Sequence, residues 1–222
     1  MSVAVETRTD APPAAAPGPW RKVLRRVGWT FISVGIVLIL FVAYELWGTG
    51  LVTARHQDEL RSDLETQFEA EDAGPGEAKL RPIPGEAIGI IRIPAIELNM
   101  AFVEGVSAAD LKRGPGHYAG TPLPGREGNV GIAAHRTTYG APFWSLDELR
   151  TGDRIHVRTV EGSFVYEVVW RKVVTPNDHW VLSPTDRPSI TLTTCNPRYS
   201  AAERLIVRGK LLRAAPAAEA RS

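Results

Sequence analysis

Apolar residues are distributed along this chain in three different ways. Between Val27 and Tyr44 they run as VGWTFISVGIVLILFVAY with no charged residue, long enough as a helix to cover most of a hydrocarbon core about 30 Å thick. From Thr53 to Glu71 they thin to Leu60, Leu64 and Phe68, every fourth position amid charge, which predicts a slender stalk helix stopped by DAGPGE. From Pro84 to about Arg213 they come as short β-branched runs broken by Gly, Pro and Asn. The runs AIGIIRIP, LNMAFVEG, GNVGIAAH, RIHVRTV, SFVYEVVWRKVV, SITLTTC and RLIVRGKLL are predicted strands, with short helical segments near SAADLKRG and FWSLDELR. About seven or eight strands at this spacing predict an all-β domain closed into a barrel, the arrangement that leaves no exposed sheet edge.

The ends differ in composition from the middle. Residues 1–19, MSVAVETRTDAPPAAAPGP, are rich in Pro and Ala without apolar periodicity and read as a disordered cytoplasmic tail. The predicted organisation is therefore that tail, a basic flank and transmembrane anchor over 20–47, an extracellular stalk or linker over 48–83, the β-barrel over 84–213 and a flexible tail over 214–222. A length of 222 residues with 44% hydrophobic and 23% charged positions suits one folded domain with such appendages.

Charge sharpens the reading of the apolar run. Arg21, Lys22, Arg25 and Arg26 precede it, and Trp20, Trp29, Tyr44 and Trp47 stand near its ends as interfacial aromatics do. The basic side is expected in the cytoplasm and the rest of the chain outside. A cleavable signal peptide is the competing reading, but the run exceeds a usual h-region and ELWGTGLVTA offers only a weak cleavage pattern. A formal net charge of +1, from 26 basic and 25 acidic residues, argues against a dedicated nucleic-acid surface.

Exported chains usually pair their cysteines, and this one has a single cysteine, Cys195. It ends SITLTTC and is followed by Asn196 and Pro197, so the thiol sits where a strand yields to a loop. The plain alternative is a small buried hydrophobe. Across the loop NPRYSAAE the next strand opens at Arg204, and an antiparallel hairpin would set that guanidinium beside Cys195. There it would favour thiolate over thiol, whose ordinary pKa is about 8.5, and could donate to a developing oxyanion. Arg198, within the loop, competes for this role, and a solvated strand-end charge is the ordinary alternative for Arg204.

A thiol nucleophile needs a proton carrier. His135 closes GNVGIAAH and, like Cys195, stands where a strand hands over to a loop. His56 belongs to the stalk, and His156 shares a solvated strand face with Arg154 and Arg158. His117 and His179 lie in loops as surface or groove-wall imidazoles and remain minor alternatives. No close cluster of His, Cys or carboxylates has metal-ligand spacing, so neither a metal nor another cofactor is expected.

TLTTC, with Arg204 opening RLIV, GNVGIAAHR upstream and an N-terminal anchor, resembles the sortases, membrane-anchored cysteine transpeptidases of Gram-positive bacteria. GHYAGTPLPGREGNV and HRTTYGAPFWSL make the resemblance nearest to class E of the actinobacteria. It implies a sortase-like β-barrel in which Cys195 attacks the Thr-Gly bond of an LPXTG or LAXTG sorting signal. A thioacyl enzyme forms, and an amine of lipid II or the peptidoglycan crossbridge resolves it. Arg204 is expected to hold the oxyanion and His135 to carry the proton, with Thr194 and Tyr118 as candidates for the substrate groove. The partners implied are secreted proteins bearing such signals, the cell-wall precursor and the membrane. Two rivals remain: a non-enzymatic exported β-domain that binds the wall or a partner protein, and a papain-like hydrolase. In the latter the cysteine precedes the histidine and lies on a helix, the reverse of what stands here.

Overall fold

The computed structural model describes residues 19–44, 48–73 and 82–216. The chain divides after Val42 into two compact units. The first is a helix, α1 (Pro19–Ala43), of which Trp20–Ala43 is long and apolar enough to cross a membrane. Phe31, Val37, Ile39 and Leu40 are all exposed along it. A helix whose long apolar run carries exposed side chains suits a single-pass anchor in lipid.

The second unit opens with α2 (Thr49–Ala73) and continues as eight strands: β1 (Ala87–Ile93), β2 (Leu98–Glu104), β3 (Gly116–His117), β4 (Asn129–Ala133), β5 (Arg154–Thr159), β6 (Gly162–Val174), β7 (Ser189–Asn196) and β8 (Glu203–Pro216), with a short helix α3 (Ala108–Arg113) between β2 and β3. The strands close into a barrel in the order β1-β2-β3-β4-β7-β8-β6-β5. Pairs β2–β3 and β4–β7 are parallel and the others antiparallel. Every predicted strand run forms a strand. Alternation explains β5, where Ile155 and Val157 are buried while Arg154 and Arg158 are exposed. Phe102, Ile132, Tyr166, Ile190, Leu192 and Val207 fill the interior. The segment around FWSLDELR forms only a 3-10 turn, Leu146–Glu148.

Two expectations change. The stripe Leu60, Leu64 and Phe68 does not belong to a free stalk: Leu60 and Leu64 are 0% exposed and join the barrel's own hydrophobic cluster. One turn earlier Gln57 donates to Ala101 O (3.0 Å) and Arg113 O (2.9 Å) and accepts from Ala101 N (2.8 Å), satisfying backbone groups at the barrel edge. Arg158 covers the Phe68 ring at 4.2 Å. At the other end, Ala214, Ala215 and Pro216, expected in a loose tail, extend β8 opposite Phe164, Ser163 and Gly162. The expected N-terminal tail, up to residue 18, and the last six residues, 217–222, lie outside the described residues.

Candidate active site

The parallel pair β4–β7 sets Asn129 opposite Ser189 and Ala133 opposite Thr193. Beyond β4 one backbone and one side-chain bond still join the two segments: Ala134 N donates to Thr193 O at 3.2 Å and Thr194 Oγ1 donates to Ala134 O at 2.8 Å. His135 follows directly, between Ala134, bonded to Thr193 and Thr194, and Arg136, whose Nη1 donates to Cys195 O at 3.2 Å, and so stands beside the end of β7. On the opposite side β8 runs antiparallel, and Cys195 faces Arg204. His135, just past the end of β4, therefore adjoins the paired residues Cys195 and Arg204 of the neighbouring strands β7 and β8. Directly paired residues such as Cys195 and Arg204 present their side chains on one face of the sheet.

Cys195 is a free, half-buried thiol. The His135 ring leans on Tyr139, with centroids 5.0 Å apart, and its Nε2 is buried without a hydrogen-bond partner among the described residues. Burial, and then the Lys112 ammonium, lower its pKa from the ordinary 6.5. Arg204 Nη1 donates to Ala201 O (2.8 Å) and Glu203 O (2.9 Å), so its guanidinium is held against the β7–β8 loop rather than directly on the thiol.

The face of β7 that carries Thr191, Thr193 and Cys195 is roofed by the loop 175–188, which includes the 3-10 turn His179–Leu182. Thr191 Oγ1 donates to Asn129 Oδ1 (2.7 Å), while Asn129 Nδ2 and Arg208 Nη2 both donate to Val181 O (3.1 and 2.7 Å), fastening that roof to the sheet. Beneath it lies a cleft of about 250 Å³ lined by Tyr118, His179, Val181, Leu182, Thr193 and Arg204, so it reaches the strand partner of Cys195. Tyr118 Oη lies 3.0 Å from Thr193 Oγ1. Gly131 lets two walls of the cleft approach the sheet: a Cβ there would come within 2.8 Å of both the Tyr118 ring and Leu182.

Thr194 does not join this cleft. It is 3% exposed, its hydroxyl is committed to Ala134 O, and strand alternation turns it to the face opposite Cys195. It ties the end of β4 to β7 instead of lining the groove. His117 is equally unsuited to surface chemistry: it is 1% exposed on β3, with Nδ1 2.7 Å from Glu104 Oε2 and Nε2 within 3.1 Å of Pro122 O. His56 pairs with Glu59 on α2, His156 lies on β5, and His179 lines the cleft. Arg198, the competitor of Arg204, packs over Trp144 at 4.5 Å and bonds Asp147 at 3.1 Å.

One residue that sequence reasoning passed over is Arg136. It is 4% exposed and donates to Cys195 O (3.2 Å) and Asn196 Oδ1 (2.6 Å) while pairing with Asp147 (3.0 Å). These bonds fix the backbone that carries the thiol. In Arg136→Met those acceptors lose their donor, and unfolding stability falls by about 1–3 kcal/mol. Misplacement of the thiol costs about tenfold or more in the rate of Cys195 acylation. Thermal unfolding and single-turnover acylation check both, and an unchanged acylation rate would contradict the assignment.

Residues 91–212 match the sortase domain. The chain belongs to the sortase family. It is 34% identical over 228 residues to sortase SrtE1 of Streptomyces coelicolor, covering 96% of the present chain and 63% of that relative, so it spans under two thirds of the relative's length. Sortase D of Bacillus subtilis is 31% identical over 189 residues, covering 81% of the present chain and 94% of the relative. Among solved structures, sortase E1 of S. coelicolor with a tripeptide in its active site superposes with a TM-score of 0.57 at 33% identity, covering 62% of this sortase and 95% of that chain. Sortases are cysteine transpeptidases, and the Streptomyces relatives agree with the likeness to class E.

Proposed function

We propose that this sortase is a membrane-anchored transpeptidase. It cleaves the Thr-Gly bond of an LPXTG- or LAXTG-type signal and joins the acyl part to an amine of a peptidoglycan precursor such as lipid II. The observation that supports this most is the convergence of His135, Cys195 and Arg204 at neighbouring strand ends, with Arg204 lining a roofed cleft. The Cys195 thiolate attacks the threonine carbonyl carbon, and the tetrahedral oxyanion is stabilised by Arg204. On collapse the C–N bond breaks, the His135 imidazolium gives its proton to the leaving glycine amine, and a thioester remains. The acceptor amine then attacks, His135 takes its proton, and the thiolate departs. In orientation, the basic block Arg21, Lys22, Arg25 and Arg26 keeps the N-terminus cytoplasmic and the barrel outside, where the signal-bearing proteins and the lipid-linked precursor meet it.

Tyr118 selects the residue after leucine in the signal. Its ring and hydroxyl wall the cleft beside Thr193. The full chain in lipid nanodiscs, given paired LPXTG and LAXTG peptides with a glycine or diaminopimelate-type amine, tests substrate class and selectivity together. Loss of the hydroxyl in Tyr118→Phe changes the ratio of kcat/KM for the two peptides by about threefold to tenfold, the worth of one hydrogen bond. An unchanged ratio rejects the role of Tyr118, and no transfer with either peptide rejects the substrate class.

A further inference from the structure

The loop that follows His135 has an unusual backbone. Tyr139, Gly140 and Ala141 are consecutive residues in the left-handed region, with φ of 53°, 73° and 45°. Two of the three carry a Cβ, so the conformation is costly and persists only where its surroundings dictate it. From within the loop, Ala141 N donates to Thr138 O and Phe143 N to His135 O. From outside it comes α2: Tyr139 N donates to Thr49 Oγ1 at 3.2 Å. One turn on, Thr53 Oγ1 donates to Lys112 O at 2.9 Å, and a Cβ on Gly140 would meet the Thr53 side chain at 3.6 Å. Thr49 and Thr53 are 4% and 1% exposed, which is far more burial than a solvated helix start requires.

The two segments held by these threonines meet at the histidine. Lys112 lies over the Tyr139 ring, 5.5 Å from its centroid, and that ring lies against His135. Positions 49, 53 and 57 carry the polar half of a docking face that 60, 64 and 68 complete with apolar side chains. The helix between the anchor and the barrel thus reaches the site through its first turn.

We propose that Thr49 is a positioning residue for the catalytic-type histidine: by accepting from Tyr139 N it holds the left-handed loop that keeps Tyr139 against His135. For the effect on rate this rests on the reading of His135 as proton carrier; the effect on the geometry of His135 does not. Lys112 from α3 and Tyr139 from its own loop face the imidazole, and Cys195 and Arg204, paired across β7 and β8, adjoin the strand end from which it projects.

Thr49→Val keeps the shape and removes the acceptor, and Thr49→Ser keeps the acceptor. In the full chain in nanodiscs, the valine variant lowers kcat about threefold to tenfold with KM for the signal peptide little changed. The His135 titration, followed by NMR of histidine-labelled protein, moves up toward 6.5 as the ring loses burial. The serine variant restores both. A valine variant with wild-type kcat and wild-type titration overturns the proposal, as does one that lowers only the melting temperature. A shifted titration with unchanged kcat upholds the positioning role and counts against His135 as the proton carrier.

Discussion

Cys195→Ala abolishes acyl transfer while the barrel remains folded. The thiol is half-buried and makes no hydrogen bond among the described residues, whereas the backbone of residue 195, held by Arg136 through the carbonyl, is untouched by the change. The Cβ is retained, so the pairing of position 195 with Arg204 keeps its spacing. Loss of the nucleophile in a covalent mechanism lowers kcat by a factor of at least about 10³, because no other group in the site can take its place. Transfer of an amine onto the signal peptide, followed by chromatography, reads the first half, and the melting temperature reads the second. A wall-binding or partner-binding β-domain would instead keep its function in this variant. Residual transfer near wild type would point to that rival, and unfolding would mean that the thiol is a packing residue.

His135→Ala is the second large loss. General acid–base catalysis contributes roughly 10²- to 10⁴-fold, and kcat falls by that range because both the leaving amine and the incoming one lose their proton carrier. The pH dependence follows from the environment of the ring. Burial, aided by the Lys112 ammonium, favours the neutral imidazole, so protonation is completed only below the ordinary 6.5. Since the form that protonates the leaving amine is the imidazolium, only a minority of molecules carry it at neutral pH. The active state holds one proton on the Cys195–His135 pair, on the ring. At lower pH the pair takes up a second proton and the thiolate is lost, so the acid limb of kcat/KM lies below pH 6.5 and disappears in the alanine variant. An acid limb at or above 6.5, or one that survives the substitution, would assign it to another group.

Much of this site is legible in the chain because its logic is local. The strand SITLTTC ends at a loop, the loop returns at Arg204, and an antiparallel hairpin of that length brings positions 195 and 204 face to face, as the register has it. The β-branched runs likewise declare their strands, apart from β3, whose two residues are too few to show a period. Thr194 lies outside the cleft for a physical reason: neighbours in a strand face opposite ways, and adjacency to the thiol in sequence puts its hydroxyl on the other side of the sheet. Arg136 was not legible, since its acceptors at 195 and 196 lie about sixty positions away and only the parallel pairing of β4 with β7 brings them near. The docking of α2 was half-visible. Leu60, Leu64 and Phe68 marked the apolar half of its face, but the other half is Thr49, Thr53 and Gln57, which satisfy backbone groups of the barrel and leave no trace in a hydropathy pattern. A fragment beginning near Leu80 would therefore discard part of the core as well as the brace behind His135.

The most direct test of the account is the mass of the protein caught between its two acyl transfers. The full chain is mixed with an LAXTG or LPXTG peptide in the absence of an acceptor amine, quenched in acid and digested. The peptide containing Cys195 is then predicted to gain the mass of the signal up to and including its threonine, and to lose it on addition of hydroxylamine. An adduct on any other residue, or cleavage of the signal with no adduct on Cys195 at any time, would contradict the thioacyl mechanism.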